Sequence, residues 1–163
     1  MPHTGFALSP TWGDTLTVSY KLLTKVYSSY GFVEQRAAWV EQPKLSETFT
    51  LLEKDKAIST ILTSLTYIFP LFPFAQFGTK TGPNVITLDA TPLYFNGITY
   101  IIDTSGNYNT ISSIVGNAIT VDTIWGGISS GFFSPGFAGN ITEINKEILS
   151  SGVIKCTITG EEV

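Results

Sequence analysis

The 163-residue chain holds one histidine, His3, one cysteine, Cys156, and one arginine, Arg36. A serine or cysteine nucleophile needs a base beside it, and the only imidazole lies in the irregular opening stretch MPHTGFALSP. Cys156 falls in the alternating run VIKCTIT and reads as a small buried hydrophobe, with a nucleophile as the alternative. A single cysteine excludes an intramolecular disulfide and a cysteine-rich zinc centre. No Ser-His-Asp set, phosphate-binding glycine loop or cluster of metal ligands is present in the sequence. Asp89, Asp103 and Asp122 follow successive β-like runs at similar places. Two readings stand for them: convergence on a hydrolytic site, or the capping of turns. The expectation is of a non-enzymatic protein with no catalytic residue, no cofactor and no metal.

Arg36 sits in the passage Glu34-Gln35-Arg36, which brings polar groups into an otherwise apolar stretch. It belongs either to an edge strand or turn with solvated charges, or to an arginine–carboxylate pair that fixes a corner or an interface. The planar guanidinium suits the second role better than a lysine does. Charged residues are 13% of the chain, against about 25% in ordinary globular proteins, and aromatics also reach 13%. Threonine, serine, asparagine and glycine take the place of surface charge, which fits a β-rich protein partly covered by neighbours. A net charge of −4 without blocks offers no basic face for nucleic acid.

The elements that would carry these residues are mostly strands. Residues 1–14 form an irregular lead-in anchored by Phe6, Leu8 and Trp12. Residues 15–28 read as one long strand, Ser29-Tyr30-Gly31 as a turn, and the return as two strands broken at Pro43. Asp55 can cap a helix over residues 55–68, where Ala57, Ile58, Ile61, Leu62, Leu65 and Ile68 recur at helical spacing up to Pro70. The helix packs on a sheet or meets a partner. Residues 69–82 are an aromatic, proline-bearing connector. Residues 84–125 read as four or five short strands curled into a small barrel or sandwich, with turns at Asn96-Gly97, Ser105-Gly106-Asn107 and Gly116-Asn117. Residues 126–144, GGISSGFFSPGFAGNITEI, read as a glycine-rich loop with docked aromatics, NITEINKEIL as a short strand then a turn, and VIKCTITG as a last strand. The fold class is mainly β, a small barrel or sandwich with one amphipathic α-helix. Its parts are a lead-in and long hairpin over 1–54, a helix over 55–69 and a β-barrel or sandwich over 70–163, in one compact domain with a protruding hairpin. The lead-in lacks the pattern of a signal peptide, and the apolar run 61–77 is too interrupted for a membrane span.

The order of these parts resembles a group of bacteriophage tail proteins. It begins with Pro10-Thr11-Trp12 and continues through Glu34-Gln35-Arg36-Ala37-Ala38-Trp39, Pro43-Lys44 and a strand over 47–52. After the helix come the aromatic stretch 69–77, the meander ITLDATPLYFNGITYIID, ISSIVGNAITVDT, and WGGISSGFFSPGFAGNI, so that the resemblance spans residues 10–142. Trp39 stands where the group has a second basic residue, and Lys44 where arginine is usual. The resemblance implies a structural component of a tailed-phage virion, in the tail tip or hub, baseplate or collar, without catalytic activity. It would be made in the host bacterial cytoplasm, join other tail proteins and assemble as a symmetric ring, three- or six-fold. The interface candidates are Trp12, Glu34, Arg36, Trp39, Phe132, Phe133 and Phe137. The alternative is a carbohydrate- or receptor-binding β-module at the tail tip. Tyr94, Tyr100, Tyr108 and Trp125 would stack on sugars, with Asn96, Asp103 and Asn107 as polar contacts; the same aromatics can instead be core.

Overall fold

The computed structural model describes residues 4–6, 16–21, 24–28, 34–38, 44–53, 66–149 and 153–163. Among these, thirteen strands run in the order β1 (Thr4–Gly5), β2 (Thr17–Lys21), β3 (Thr24–Ser28), β4 (Glu34–Ala38), β5 (Lys44–Glu53), β6 (Thr66–Pro70), β7 (Gln76–Gly82), β8 (Val85–Leu88), β9 (Tyr100–Asp103), β10 (Tyr108–Val115), β11 (Ala118–Val121), β12 (Ser130–Ile148) and β13 (Ile154–Glu162). Short 3-10 turns occupy Phe72–Phe74 and Leu93–Phe95. Eleven strands belong to one sheet, and β3 and β4 form a separate antiparallel pair. The expectation of a mainly β chain holds.

The sheet is built on β12, 19 residues long. One edge of β12 pairs first with β7, over Ser130 to Phe133, and then with β6, over Gly136 to Asn140. The opposite edge pairs with β9, over Phe133 to Gly136, and then with β13, over Gly139 to Ile148. From β7 the ladders continue through β8, β11, β10 and β9 and return to β12, a circuit of six hydrogen-bonded strands. From β13 the sheet runs outward through β5 to β2. Two cores follow. Ile86, Leu88, Phe95, Ile101, Ile119, Val121, Trp125 and Phe133 pack together from the strands and turns of the circuit. The strict alternation of β8 and β11 supplies half of that set, as a sheet with one buried face requires. Phe6, Phe49, Phe69, Phe137 and Ile158 are part of the second core, against β5, β6 and β13.

Several expectations are corrected. Residues 66–69 of the expected helix are strand β6, paired with β1 on one edge and β12 on the other. A short apolar run buried on both faces carries no period that separates strand from helix. Residues 55–65 of that helix lie outside the described residues, as do the turn at 29–31 and the break at Pro43. The long strand 15–28 divides into β2, which joins the large sheet, and β3, which pairs with β4. Thr91 to Phe95 is not a strand; Pro92 accepts from the Phe95 amide and turns the chain, so Asn96-Gly97 is no hairpin loop. The other two turns hold: Ser105-Gly106-Asn107 joins β9 to β10, and Gly116-Asn117 joins β10 to β11.

The largest correction concerns residues 130–139, expected as loop and found within β12, which also absorbs the short strand and turn expected after them. Pro135 is tolerated in mid-strand because its carbonyl, and therefore the direction of its missing N–H, points between the ends of β6 and β7. There it accepts from the Leu71 amide at 2.8 Å, and no ladder donor is lost.

Phe69 stacks between Phe6 and Phe137 at ring distances of 5.2 and 5.5 Å. Its ring also covers Gly160, where an added Cβ would stand 2.9 Å from the ring carbons. Because Phe69 is fully buried and cannot swing away, Gly160→Val should cost about 1–3 kcal/mol of stability. Gly126→Ala, with nothing within 4 Å of the new Cβ, should stay within about 0.5 kcal/mol. Urea unfolding of both variants checks this.

Candidate functional site

Register decides what each aromatic of the 130–137 segment does. In β12, Phe132 stands opposite Phe77 of β7, while Phe133 stands opposite Gln76 on one edge and Asp103 on the other. Adjacent residues point to opposite faces of a strand. Phe133 enters the core, and Phe132 and Phe77 face outward, 52% and 42% exposed. Their rings meet edge to face at 5.5 Å. Around them the outer face carries hydroxyls: Thr79 and Ser130 lie 3.5 Å apart, and Thr81 and Thr87 2.8 Å. The result is an exposed aromatic pair on a hydroxyl-bearing face, with the exposed Asp89 beside Phe77, its amide donating to the Phe77 carbonyl at 2.9 Å.

Of the expected interface residues, Phe132 is therefore exposed. Phe133 and Phe137 are buried, in the circuit's core and the second core respectively, and offer no surface. Glu34 and Arg36 lie in β4, opposite Ser28 and Val26. Trp12 and Trp39 lie outside the described residues. Phe77 was missed, because only the β7–β12 register makes it the partner of Phe132.

The three aspartates separate by environment. Asp103 is buried, while Asp89 and Asp122 are exposed. The Asp103 carboxylate accepts backbone N–H groups from Ser105 at 2.8 Å, Asn107 at 2.9 Å and Ile128 at 2.9 Å, and the Asn107 amide at 3.1 Å. It ties the β9–β10 turn to the Trp125–Ile128 segment, where the Trp125 indole N–H donates to the Ile128 carbonyl at 3.0 Å. A Cβ on Gly127 would collide with Asp103 Oδ2, so glycine is required for this approach. Asp103 thus serves as a turn cap, the second of its two sequence readings. Among the described residues no three His, Cys, Asp or Glu side chains are grouped to hold a metal ion. Cys156 is buried, as its alternation suggested. Of the expected sugar contacts, Trp125 and Asp103 are buried, and Tyr94 stacks on Phe74 at 4.4 Å.

Glu47 is a different case. Alternation along β5 puts Leu45, Glu47, Phe49 and Leu51 on one face, and Glu47 is 0% exposed. Oε1 accepts the Phe72 amide at 3.2 Å, and Oε2 has no hydrogen-bond partner. Burial pushes the carboxyl up from 4.5 to about 8, and the Phe72 N–H pulls only weakly the other way. A charge at an apolar beat of LSETFTL was the sequence signal for it, one easily taken for the solvent face.

The folded state therefore keeps its proton on Glu47 where the unfolded chain has released it. Stability is full below about pH 4.5 and falls as the pH rises toward 8. That span corresponds to roughly 5 kcal/mol at most. Glu47→Gln should flatten this dependence and leave the variant more stable than the parent at pH 8, as read from thermal midpoints across the pH range. Among the described residues no helix is long and apolar enough to cross a membrane. No family model matches the chain, and no curated protein matches it.

Proposed function

We propose that this chain is a structural component of a tailed-phage virion, placed in the tail tip or hub, the baseplate or the collar. There it assembles as a symmetric ring and joins neighbouring tail proteins. The observation that carries the reading is the outward Phe77–Phe132 pair. Large aromatics side by side on a face of hydroxyls, with the single carboxylate of Asp89 beside them, are the composition of a surface that a neighbour covers. The charged fraction of 13% supports it, and so does the ordered set of motifs that resembles the tail-protein group. A head-to-tail contact through this face closes into a ring when its rotation divides the circle.

The six-strand circuit is read as a small β-barrel, a body without open edges that holds the face rigid. The reading gives the protein no catalytic activity, no cofactor and no nucleic-acid contact. Its place is the virion, after synthesis in the host bacterial cytoplasm.

A mass-spectrometric census of purified virions, beside light scattering on the purified chain, tests it. A copy number in multiples of three or six supports the reading, and absence from virions overturns it. Phe132→Ser should weaken ring or neighbour association by at least about tenfold while leaving the unfolding midpoint of the isolated chain in place.

A further inference from the structure

A cleft of about 500 Å³ opens between β2, β5, the 96–100 segment, β12 and the end of β13. That volume falls in the range of about 300–1,000 Å³ common to small-molecule sites. The cleft lies apart from Phe77 and Phe132, neither of which lines it. Its walls have a mixed chemistry. Tyr20, 65% exposed, stands on β2, the last strand of the sheet, and Tyr100 lines the cleft from β9. Asn96 and Thr99, both exposed, add an amide and a hydroxyl. Glu162 is held in place because its Oε2 accepts the Leu45 amide at 2.9 Å, and Oε1 is a second acceptor.

The lining selects among ligand classes. An anion would meet the Glu162 carboxylate. A wholly apolar molecule would strip water from Asn96, Thr99 and Glu162 and return no hydrogen bond, at a cost for each. A cation would use Glu162 and the tyrosine faces and leave the Asn96 N–H groups idle. A neutral, polyhydroxylated ring suits both the apolar and the polar lining: its C–H face lies on a tyrosine and on the apolar surface of Ile98, Phe137 and Val163, and its hydroxyls both donate and accept toward Asn96, Thr99 and Glu162. We infer that this cleft binds a neutral saccharide. The inference does not rest on the virion assignment, since the residues that carry it are separate from the aromatic pair.

The test is an amide NMR titration of the full chain with maltose, lactose and chitobiose, with tetramethylammonium and glucuronate as charged controls. At least one disaccharide should shift the signals of 96–100 and 136–138 saturably, with a dissociation constant on the order of 1 mM or tighter. Tyr20→Ala and Asn96→Ala should each weaken that binding by about fivefold or more while the spectrum stays dispersed. Both residues are exposed, and Thr99→Val provides a third variant should either lose its fold. Three results would each overturn the inference: no disaccharide shifts these signals, the variants bind as well as the parent, or a charged control binds better than every disaccharide.

Discussion

Through its central stretch, residues 133–140, β12 is flanked on both edges, and the rest of the fold answers that demand. A strand in a sheet interior carries donors and acceptors on two sides, and each must find a partner. Here four strands share the work, two to an edge, with hand-overs near residues 133–139. At the hand-over, Phe133 to Phe137 are all buried, on both faces. Phe133 and Phe137 lie on the same face of β12 yet supply different cores, so one strand couples the circuit to the open half of the sheet. Gly136 fits there because Ile68 and Ile102 close over it, their methyls 3.1 and 3.4 Å from where a Cβ would stand.

Two buried carboxylates among the described residues show how differently such a frame can treat charge. Asp103 is surrounded by N–H donors from its own turn and from the 125–128 segment, so burial costs it little and the turn becomes a fixed corner. Glu47 receives one donor and is otherwise among phenylalanines and leucines. The first arrangement is local and follows from Asp-Thr-Ser-Gly-Asn, a sequence made to turn. The second depends on Phe72, brought from the β6–β7 connection, and keeps the carboxyl uncharged over much of the ordinary pH range.

This difference between local and distant causes also explains how much the sequence disclosed. The strands of β8, β10, β11 and β13 and the turns at 105–107 and 116–117 were legible, because alternation and turn chemistry act within a few residues. The β12 segment was not. Gly131, Pro135, Gly136 and Gly139 spell a loop by local rules, and become strand only because Ile68, Ile102 and the gap between β6 and β7 accommodate them. Phe132 was legible as a candidate and its neighbour Phe133 was wrongly grouped with it, since without register the two faces of a strand cannot be told apart. The cleft was legible only in part for the same reason: Tyr100 and Asn96 were named as sugar contacts, but Tyr20 and Glu162 are brought to them by ladders, not by spacing.

The bond from Leu45 to Glu162 spans 117 residues, and β13 fills an edge of β5 along most of its length. On a ribosome, β5 emerges long before the strand that completes it. At ~5–20 residues per second the wait is on the order of 5–25 s. The hairpins β7–β8 and β10–β11 need no such delay. Translation therefore meets this chain as a circuit that can begin closing on itself and an apolar strand, LSETFTLL, that waits for its partner. During that interval one edge of β5 stays open, a row of donors and acceptors that another strand could take.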